Sequence, residues 1–214
     1  EAMRIDSSGN VGIGISAPTT HYENVLHIHE SSGSSAIHMT NNTTGSAQGD
    51  GTDLIAYSSD FYIWNRETNG SFIFGTSSAS EGTIERMRIN GAGHITAPRQ
   101  PAFSAPASTT DIPLTTQTTL TLGSERFDVG SHVASNAFTA PITGKYLFTY
   151  MLYFSNLDSA HTTLDVHIKT SNKQYQQTYS PDHFLNTDSS FSVTGSMICD
   201  MDANDTWYIR VYVA

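Results

Sequence analysis

The chain has 214 residues, of which 37% are hydrophobic and only 14% charged, and its formal net charge is −10. Because the chain is this acidic and has no basic run, it should bind neither nucleic acid nor anionic lipid, both of which require a cationic patch. No apolar stretch reaches the roughly 18 residues of a membrane span, so membrane insertion is not expected.

The first predicted elements belong to an internal repeat. The string at 1–11 returns at 85–95, 84 residues later. Each copy has a short apolar strand, a turn containing Asp or Asn with Gly, and a second short strand, which predicts a hairpin. A proline ends each unit, so the predicted hairpins span 1–18 and 85–98. The chain begins without Met inside the first copy, and we expect it to be a piece of a longer protein.

Short alternating apolar runs follow between the two copies of the repeat. They lie at 25–28, 36–39, 54–57, 61–64 and 71–74. Runs of about four residues are shorter than ordinary strands and cannot offset their ordering entropy alone. We therefore predict that 1–97 is an intertwined trimeric β shaft. No sustained helical period occurs, so almost no helix is expected.

Prolines mark 98–108 as a stiff junction and the start of a head domain. Longer strands follow, and the runs at 118–122 and 163–169 alternate as half-buried strands do. The single cysteine, Cys199, cannot form an internal disulfide and is predicted to be a small buried hydrophobe. The predicted architecture is all-β, a fibre segment followed by a β-sandwich.

The run at 145–154 is apolar on both of its faces. A strand of an antiparallel sandwich needs a cover for its second apolar face, and a neighbouring subunit is the simplest one. The run at 206–214 has a milder version of the same pattern. We predict a homotrimer interface formed by Leu147, Met151, Tyr153, Tyr208 and Tyr212.

The string from Phe138 to Tyr150 fits the pattern Phe-x5-Gly-x-Tyr-x-Phe-x-aromatic at every fixed position. On this string, and on 101–105 and 204–212, the segment 101–214 resembles the C1q/TNF-like globular head. The resemblance implies a ten-stranded jelly-roll sandwich packed as a tight homotrimer. Ser131 stands where that family usually has an aromatic residue, and the chain stops before the expected final strand.

The string from Met3 to Ile13 resembles a repeat of tailed-bacteriophage tail fibres, as do 41–45, 63–67 and 85–89. The two resemblances together imply a virion tail-fibre protein outside the cell, a distal trimeric tip for host attachment. Its partners would be a glycan or protein of the host bacterial surface and other virion tail proteins. The alternatives are a purely structural fibre module and a secreted C1q-like lectin or adhesin.

His27 and His29 share one face of a predicted strand. Three chains around an axis would bring six imidazoles together, which suits iron or another first-row metal. Some trimeric phage fibres carry a His-x-His metal site, and the resemblance of this chain to such fibres favours the metal hypothesis. The alternative is that both histidines face solvent.

The segment 200–205 imitates the start of a calcium loop but lacks the glycine and the glutamate that complete one. A turn between two strands is the preferred interpretation. Calcium in the head remains a hypothesis from the C1q-like resemblance. No nucleophile-elbow, zinc-helix or phosphate-loop pattern occurs, and we expect no enzymatic activity.

Receptor contacts are expected from loops rich in aromatic and amide side chains. The segment 172–184 fits best and is interpreted as such a loop. The predicted receptor-binding residues are Tyr175, Tyr179, His183 and Phe184. The alternative is that these aromatic rings pack within the sandwich or along the trimer seam.

Overall fold

The structure is a computed structural model that describes residues 2–19, 24–108, 111–187 and 189–214. The chain divides into two compact units, Glu1–Pro98 and Arg99–Ala214. Regular structure in the described residues consists of β-strands and one short 3₁₀ turn, so the prediction of an all-β protein is confirmed. None of the described segments forms a helix long and apolar enough to cross a membrane.

The first unit contains three small sheets of three strands each. Their strands are β1 (Met3–Ile5), β2 (Val11–Ile13), β3 (Leu26–Ile28), β4 (Ser35–Met39), β5 (Thr52–Tyr57), β6 (Asp60–Asn65), β7 (Phe72–Ser78), β8 (Gly82–Ile89) and β9 (Ile95–Thr96). Each sheet takes three consecutive strands, and only β2 and β3 pair in parallel. The strands β5 to β8 are longer than the four-residue runs predicted, because polar residues such as Thr52, Asp60 and Ser77 continue the backbone ladder beyond the apolar positions.

The two copies of the repeat form equivalent hairpins. The side-chain oxygen of Asp6 accepts hydrogen bonds from the backbone N–H groups two and four residues later, both at 2.9 Å. Asn90 does the same at 3.0 and 2.9 Å. Gly9 and Gly93 occupy the same turn position with φ of +87° and +84°, a region that favours glycine. Both strings of the repeat therefore fold as hairpins, and local turn chemistry explains why they fold alike.

The first unit has no apolar core within a single chain. No apolar side chain of its described residues, 2–19 and 24–98, is buried. Its large apolar side chains are exposed instead, at Met3, Ile5, Ile13, Leu26, Ile37, Met39, Tyr57, Phe61, Ile63, Trp64, Ile73, Phe74 and Ile95. Most of the apolar surface of these sheets is therefore left uncovered in one chain.

The second unit, here called the head, is a two-sheet antiparallel sandwich. Its strands are β10 (Ala102–Ser104), β11 (Thr118–Thr119), β12 (Phe127–Val129), β13 (Val133–Ala134), β14 (Ala137–Thr139), β15 (Gly144–Leu157), β16 (Leu164–Thr170), β17 (Gln174–Tyr179), β18 (Ser189–Met201) and β19 (Thr206–Val213). One sheet has the order β13-β14-β19-β16-β17, with β11 also on β19. The strands β15 and β18 pair with each other, and this pair faces the first sheet. β10 pairs with β12. The chain passes repeatedly from one sheet to the other, as in a jelly roll.

The core of the head lies between β15–β18 and the larger sheet. Phe148 and Trp207 stack across it with ring centroids 4.3 Å apart. Phe103 packs on both, at 6.3 and 6.1 Å. Cys199 is fully buried, as predicted. Each large apolar side chain buried in this way contributes about 1.5–3 kcal/mol to folding.

The alternation predicted for the long strands is confirmed. On β15, Phe148 and Leu152 point into the core, while Leu147, Met151 and Tyr153 lie on the outer face. β19 also alternates, with Trp207, Ile209, Val211 and Val213 buried. β15 pairs with no strand other than β18 within the described chain, which leaves its second edge unpaired.

Two details of the head differ from the sequence predictions. The segment 172–184 is not a loop, since most of it forms β17 and the 3₁₀ turn Pro181–His183. Half-buried positions alternate with exposed ones along β17, a strand pattern that its polarity concealed in the sequence. His167 falls at an outward-facing position of the alternating run at 163–169, yet only 3% of it is exposed. The cross-strand neighbours of His167, Gln176 and Arg210, lie on either side of it.

Candidate binding surfaces

The two outer faces of the head differ in chemistry. The outer face of β15 and β18 carries an apolar strip formed by Leu147, Met151, Tyr153 and Ile198, which are 67%, 77%, 68% and 63% exposed. Leu147 lies directly opposite Ile198 in the ladder, so the strip is continuous across both strands. The Tyr153 hydroxyl donates to Ser190 Oγ at 2.6 Å, which holds its ring along the strip. An exposed apolar surface of this kind marks a site of protein association.

The structure separates the five predicted interface residues into two groups. Leu147, Met151 and Tyr153 belong to the apolar strip on β15. Tyr208 and Tyr212 lie on β19, in the other sheet, and their side chains point away from the shared core. The two groups are on opposite outer faces of the sandwich and do not form one continuous surface.

The four predicted receptor-binding residues are also divided. Tyr175 and Tyr179 point inward from β17 and pack against the core. Phe184 packs on Phe191, with ring centroids 4.9 Å apart, while Tyr179 meets the same ring at 5.4 Å. The His183 side chain is mostly exposed, with Nε2 3.7 Å from Asp182 Oδ2. Packing in the sandwich therefore accounts for Tyr175 and Tyr179.

A small cavity lies beneath Tyr150. It has a volume of about 20 Å³ and is lined in part by Tyr175, Gln177 and Met197. The Tyr150 hydroxyl donates to Gln177 Oε1. Burial raises the pKa of Tyr150 above its usual value. A cavity of this size holds about one water molecule and no larger ligand.

The outer face of β16, β17 and β19 is polar and aromatic, and we call it the polar platform. It was not predicted from the sequence, because its residues come from three separate runs that only the strand register brings together. Each run is polar or aromatic at alternate positions, which is the signal that was available. The platform consists of Asp165, His167, Lys169, Gln174, Gln176, Thr178, Tyr208, Arg210 and Tyr212.

Hydrogen bonds hold several platform side chains in place. Lys169 Nζ donates to Gln174 Oε1 at 2.8 Å. The Thr178 hydroxyl donates to Asp165 Oδ1 at 2.6 Å. Arg210 is anchored twice, since Nε donates to Thr119 Oγ1 at 3.2 Å and its guanidinium carbon lies 5.4 Å from the centre of the Tyr208 ring. Such anchoring lowers the entropy lost when a side chain binds a ligand.

His167 is at the centre of the platform. Neither of its ring nitrogens has a hydrogen-bond partner among the described residues. The nearest acidic group is Asp165, with Oδ2 3.8 Å from Nε2, which is beyond hydrogen-bond distance. A buried imidazole without partners is uncommon, because leaving buried donors and acceptors unsatisfied costs free energy.

In the first unit, Asp53 forms the main charged cluster. His38 Nδ1 lies 2.5 Å from Asp53 Oδ1, and Arg66 Nε donates to Oδ2. The hydrogen bonds from His38 and Arg66 hold the pKa of Asp53 below its usual value. Arg66 also lies over the Trp64 ring, 4.9 Å from its centre. The cluster ties β4, β5 and the end of β6 together.

The predicted His-x-His pair lies at the end of β3. The rings of His27 and His29 meet edge to face, with centroids 6.2 Å apart. His27 Nδ1 accepts a hydrogen bond from the Thr19 backbone N–H at 3.3 Å. Among the described residues, no three His, Cys, Asp or Glu side chains are grouped to hold a metal ion. A metal here would need ligands from other chains, and the site remains a prediction.

The segment 200–205 comprises the last two residues of β18 and the turn at 202–205 that leads to β19, and a turn between two strands was predicted here. Asp205 Oδ2 accepts hydrogen bonds from Asn172 Nδ2 at 2.8 Å and from the Asp202 N–H at 2.9 Å. Asn204 has a φ of +74°, which asparagine tolerates well. The Asp205 carboxylate therefore stabilises the turn, and calcium binding in the head remains a prediction.

No family model matches the chain, and no curated protein matches it. Among solved structures, the globular domain of zebrafish complement 1qA protein is similar to it with a TM-score of 0.42 and 18% sequence identity. That similarity covers 53% of this chain and 85% of the zebrafish domain. The description of the head as a two-sheet sandwich is based on its own strand order and core.

Proposed function

We propose that this chain is a non-enzymatic attachment protein, the distal part of a tail fibre of a tailed bacteriophage, acting as a homotrimer outside the cell. Its role would be to bind a glycan or protein on the host bacterial surface. The observation that carries the proposal is the lack of any buried apolar side chain in the described part of the first unit, although that unit forms nine strands. Ordering a backbone costs about 1–2 kcal/mol per residue, which this unit cannot offset within one chain.

Copies of the same chain are the simplest cover for the exposed apolar surface. Both units need one, because the head carries its own apolar strip on β15 and β18. Identical chains can bury the exposed apolar surface of each unit, and closed symmetry limits the assembly. The resemblances of 1–97 to phage tail fibres and of 101–214 to C1q/TNF-like heads both favour three chains.

The polar platform supports an attachment role. With the apolar strip covered by other copies, the opposite face of each head would stay open to solvent. Its tyrosines, glutamines and charged groups are the residue types that recur in binding surfaces. Three identical faces on one particle would multiply a weak single contact through avidity.

The arrangement of ionisable groups supports a binding role rather than catalysis. Asp53, with His38 and Arg66, joins strands of one sheet. Asp158 Oδ1 lies 2.8 Å from His161 Nδ1 across a turn, and it also accepts a hydrogen bond from the Ala160 backbone N–H. In both clusters the carboxylate has a structural partner that accounts for its position.

Two measurements test the proposal with the purified chain. Light scattering should give the mass of three chains. The labelled protein should bind cells of at least one strain in a panel of bacteria, and an excess of it should block phage adsorption to that strain. A monomer at micromolar concentration, or a trimer that binds no strain, would contradict the proposal, and the second result would favour a structural fibre module.

A further inference from the structure

We infer that the polar platform is the ligand-binding face of the head and that it takes a carboxylate-bearing saccharide. This inference rests on the proposed attachment function and adds the site and the class of ligand. It moves the receptor site from the predicted residues of 172–184 to the outward-facing residues of β16, β17 and β19, because Tyr175 and Tyr179 pack against the core.

The polar platform has a local excess of positive charge. The platform carries two cations, Lys169 and Arg210, and one carboxylate, Asp165, in a chain whose formal net charge is −10. Asp165 already accepts a hydrogen bond from Thr178. A local excess of positive charge in an acidic protein favours an anionic ligand at this place. The same acidity repels polyanions elsewhere, so non-specific attraction would be weak.

The strand register places both platform cations beside His167. His167 lies opposite Arg210 in the ladder and two residues from Lys169 on the same face. Facing side chains on neighbouring strands are about 5 Å apart, and positions two residues apart on a strand about 6.6 Å. A carboxylate above His167 would therefore be within reach of both cations. Arg is well suited to it, since a guanidinium binds a carboxylate through two parallel hydrogen bonds.

The buried ring of His167 also favours a ligand at this place. It is almost wholly buried, and both nitrogens are without a partner among the described residues. A ligand hydroxyl or carboxylate that reached between Gln176 and Arg210 would satisfy one of them. The free energy of leaving this group unpaired would then be recovered on binding.

The tyrosines favour a saccharide over a small anion. Tyr208 and Tyr212 lie on the same face of β19, four residues apart, which corresponds to about 13 Å along the strand. They stand on either side of Arg210, so the face offers two apolar rings around a cation. An extended chain of sugar rings can contact both tyrosines while its carboxylate meets Arg210.

The test uses the intact trimer and three polymers, namely polygalacturonate, dextran and dextran sulfate. The variant Lys169→Gln with Arg210→Gln removes both platform cations and keeps a polar, uncharged side chain at each position. The matched control, Arg126→Gln with Arg86→Gln, removes two cations elsewhere, at an exposed position just before β12 and beside Thr76. Both variants change the net charge equally.

We expect the native trimer and the control to bind polygalacturonate but not dextran, and the platform variant to bind at least about tenfold more weakly, as the loss of a charge-assisted hydrogen bond requires. His167→Gln should weaken binding as well. Failure to bind polygalacturonate, equal affinity of the platform variant, or equal binding of dextran would overturn the inference. Stronger binding of dextran sulfate would also overturn it, since it would show selection for sulfate or for charge alone.

Cell binding separates this inference from the proposed function. If the platform variant binds cells of a strain as well as the native trimer does, the inference fails and the attachment function stands. If treating the cells with protease abolishes native binding, the receptor is a protein and the inference again fails. A native trimer that binds no strain would contradict the attachment function itself.

Discussion

Phe148 of β15 and Trp207 of β19 lie stacked, with ring centroids 4.3 Å apart and an angle of 9° between the rings. The pair joins the two sheets of the head at the centre of its core. Phe103 and Phe138 pack around it, and their rings are themselves stacked at 5.3 Å. The orientation of both outer faces, apolar and polar, therefore depends on this contact.

Removing one member of the pair should destabilise the head strongly. We expect Phe148→Ala to lower the free energy of unfolding by about 3–5 kcal/mol, because it leaves a cavity in a packed core. Urea unfolding followed by Trp207 fluorescence measures the change. Gln176→Ala, on the exposed face of β17, is the control and should change stability by no more than about 0.5 kcal/mol. Similar effects of the two variants would contradict the described core.

Charges placed in the apolar strip should weaken the proposed homotrimer without unfolding the head. In Leu147→Glu with Met151→Glu, two carboxylates would have to be buried without partners on assembly. The concentration at which the trimer dissociates, measured by sedimentation, should rise at least about tenfold. Gln174→Glu on the opposite face keeps an acceptor for Lys169 and serves as the control. An unchanged dissociation concentration would place the interface elsewhere.

The first unit should become less stable at acidic pH because Asp53 becomes protonated. The hydrogen bonds from His38 and Arg66 lower its pKa from the usual value of 3.8, so its stabilising effect is present above that value. The effect is lost as the pH falls through the lowered pKa. Asp53→Asn should reduce stability at neutral pH and flatten the loss of stability below about pH 4. Hydrogen exchange of the backbone amides in β4, β5 and β6 reports the transition, and an identical acid dependence in both proteins would refute the role of Asp53.

Gly195 should resist substitution because of Tyr150. The two residues face each other across β15 and β18, and a Cβ on Gly195 would lie 2.5 Å from the tyrosine ring. We expect Gly195→Ala to destabilise the head by about 1–3 kcal/mol, the usual effect of overpacking. In a double-mutant cycle with Tyr150→Ala, most of that cost should disappear. Additive effects would show that the close approach is not the cause.

Much of the local structure follows from the sequence alone. The hairpins of the repeat are predictable because their turns depend on neighbouring residues, as the matching hydrogen bonds of Asp6 and Asn90 show. The inner and outer faces of β15 and β19 are predictable because a strand alternates with a period of two. That alternation identified Leu147, Met151 and Tyr153 as an exposed apolar group.

Alternation describes each strand only relative to itself, and it does not say which strands share a sheet. The register between β16, β17 and β19 comes from long-range packing around pairs such as Phe148 and Trp207. That packing put Tyr208 and Tyr212 opposite the apolar strip and turned Tyr175 and Tyr179 toward the core. The sequence thus determined the strands and the turns. Only the tertiary structure decided which side chains meet on the polar platform, because contacts between distant segments are fixed by the packing of the whole core.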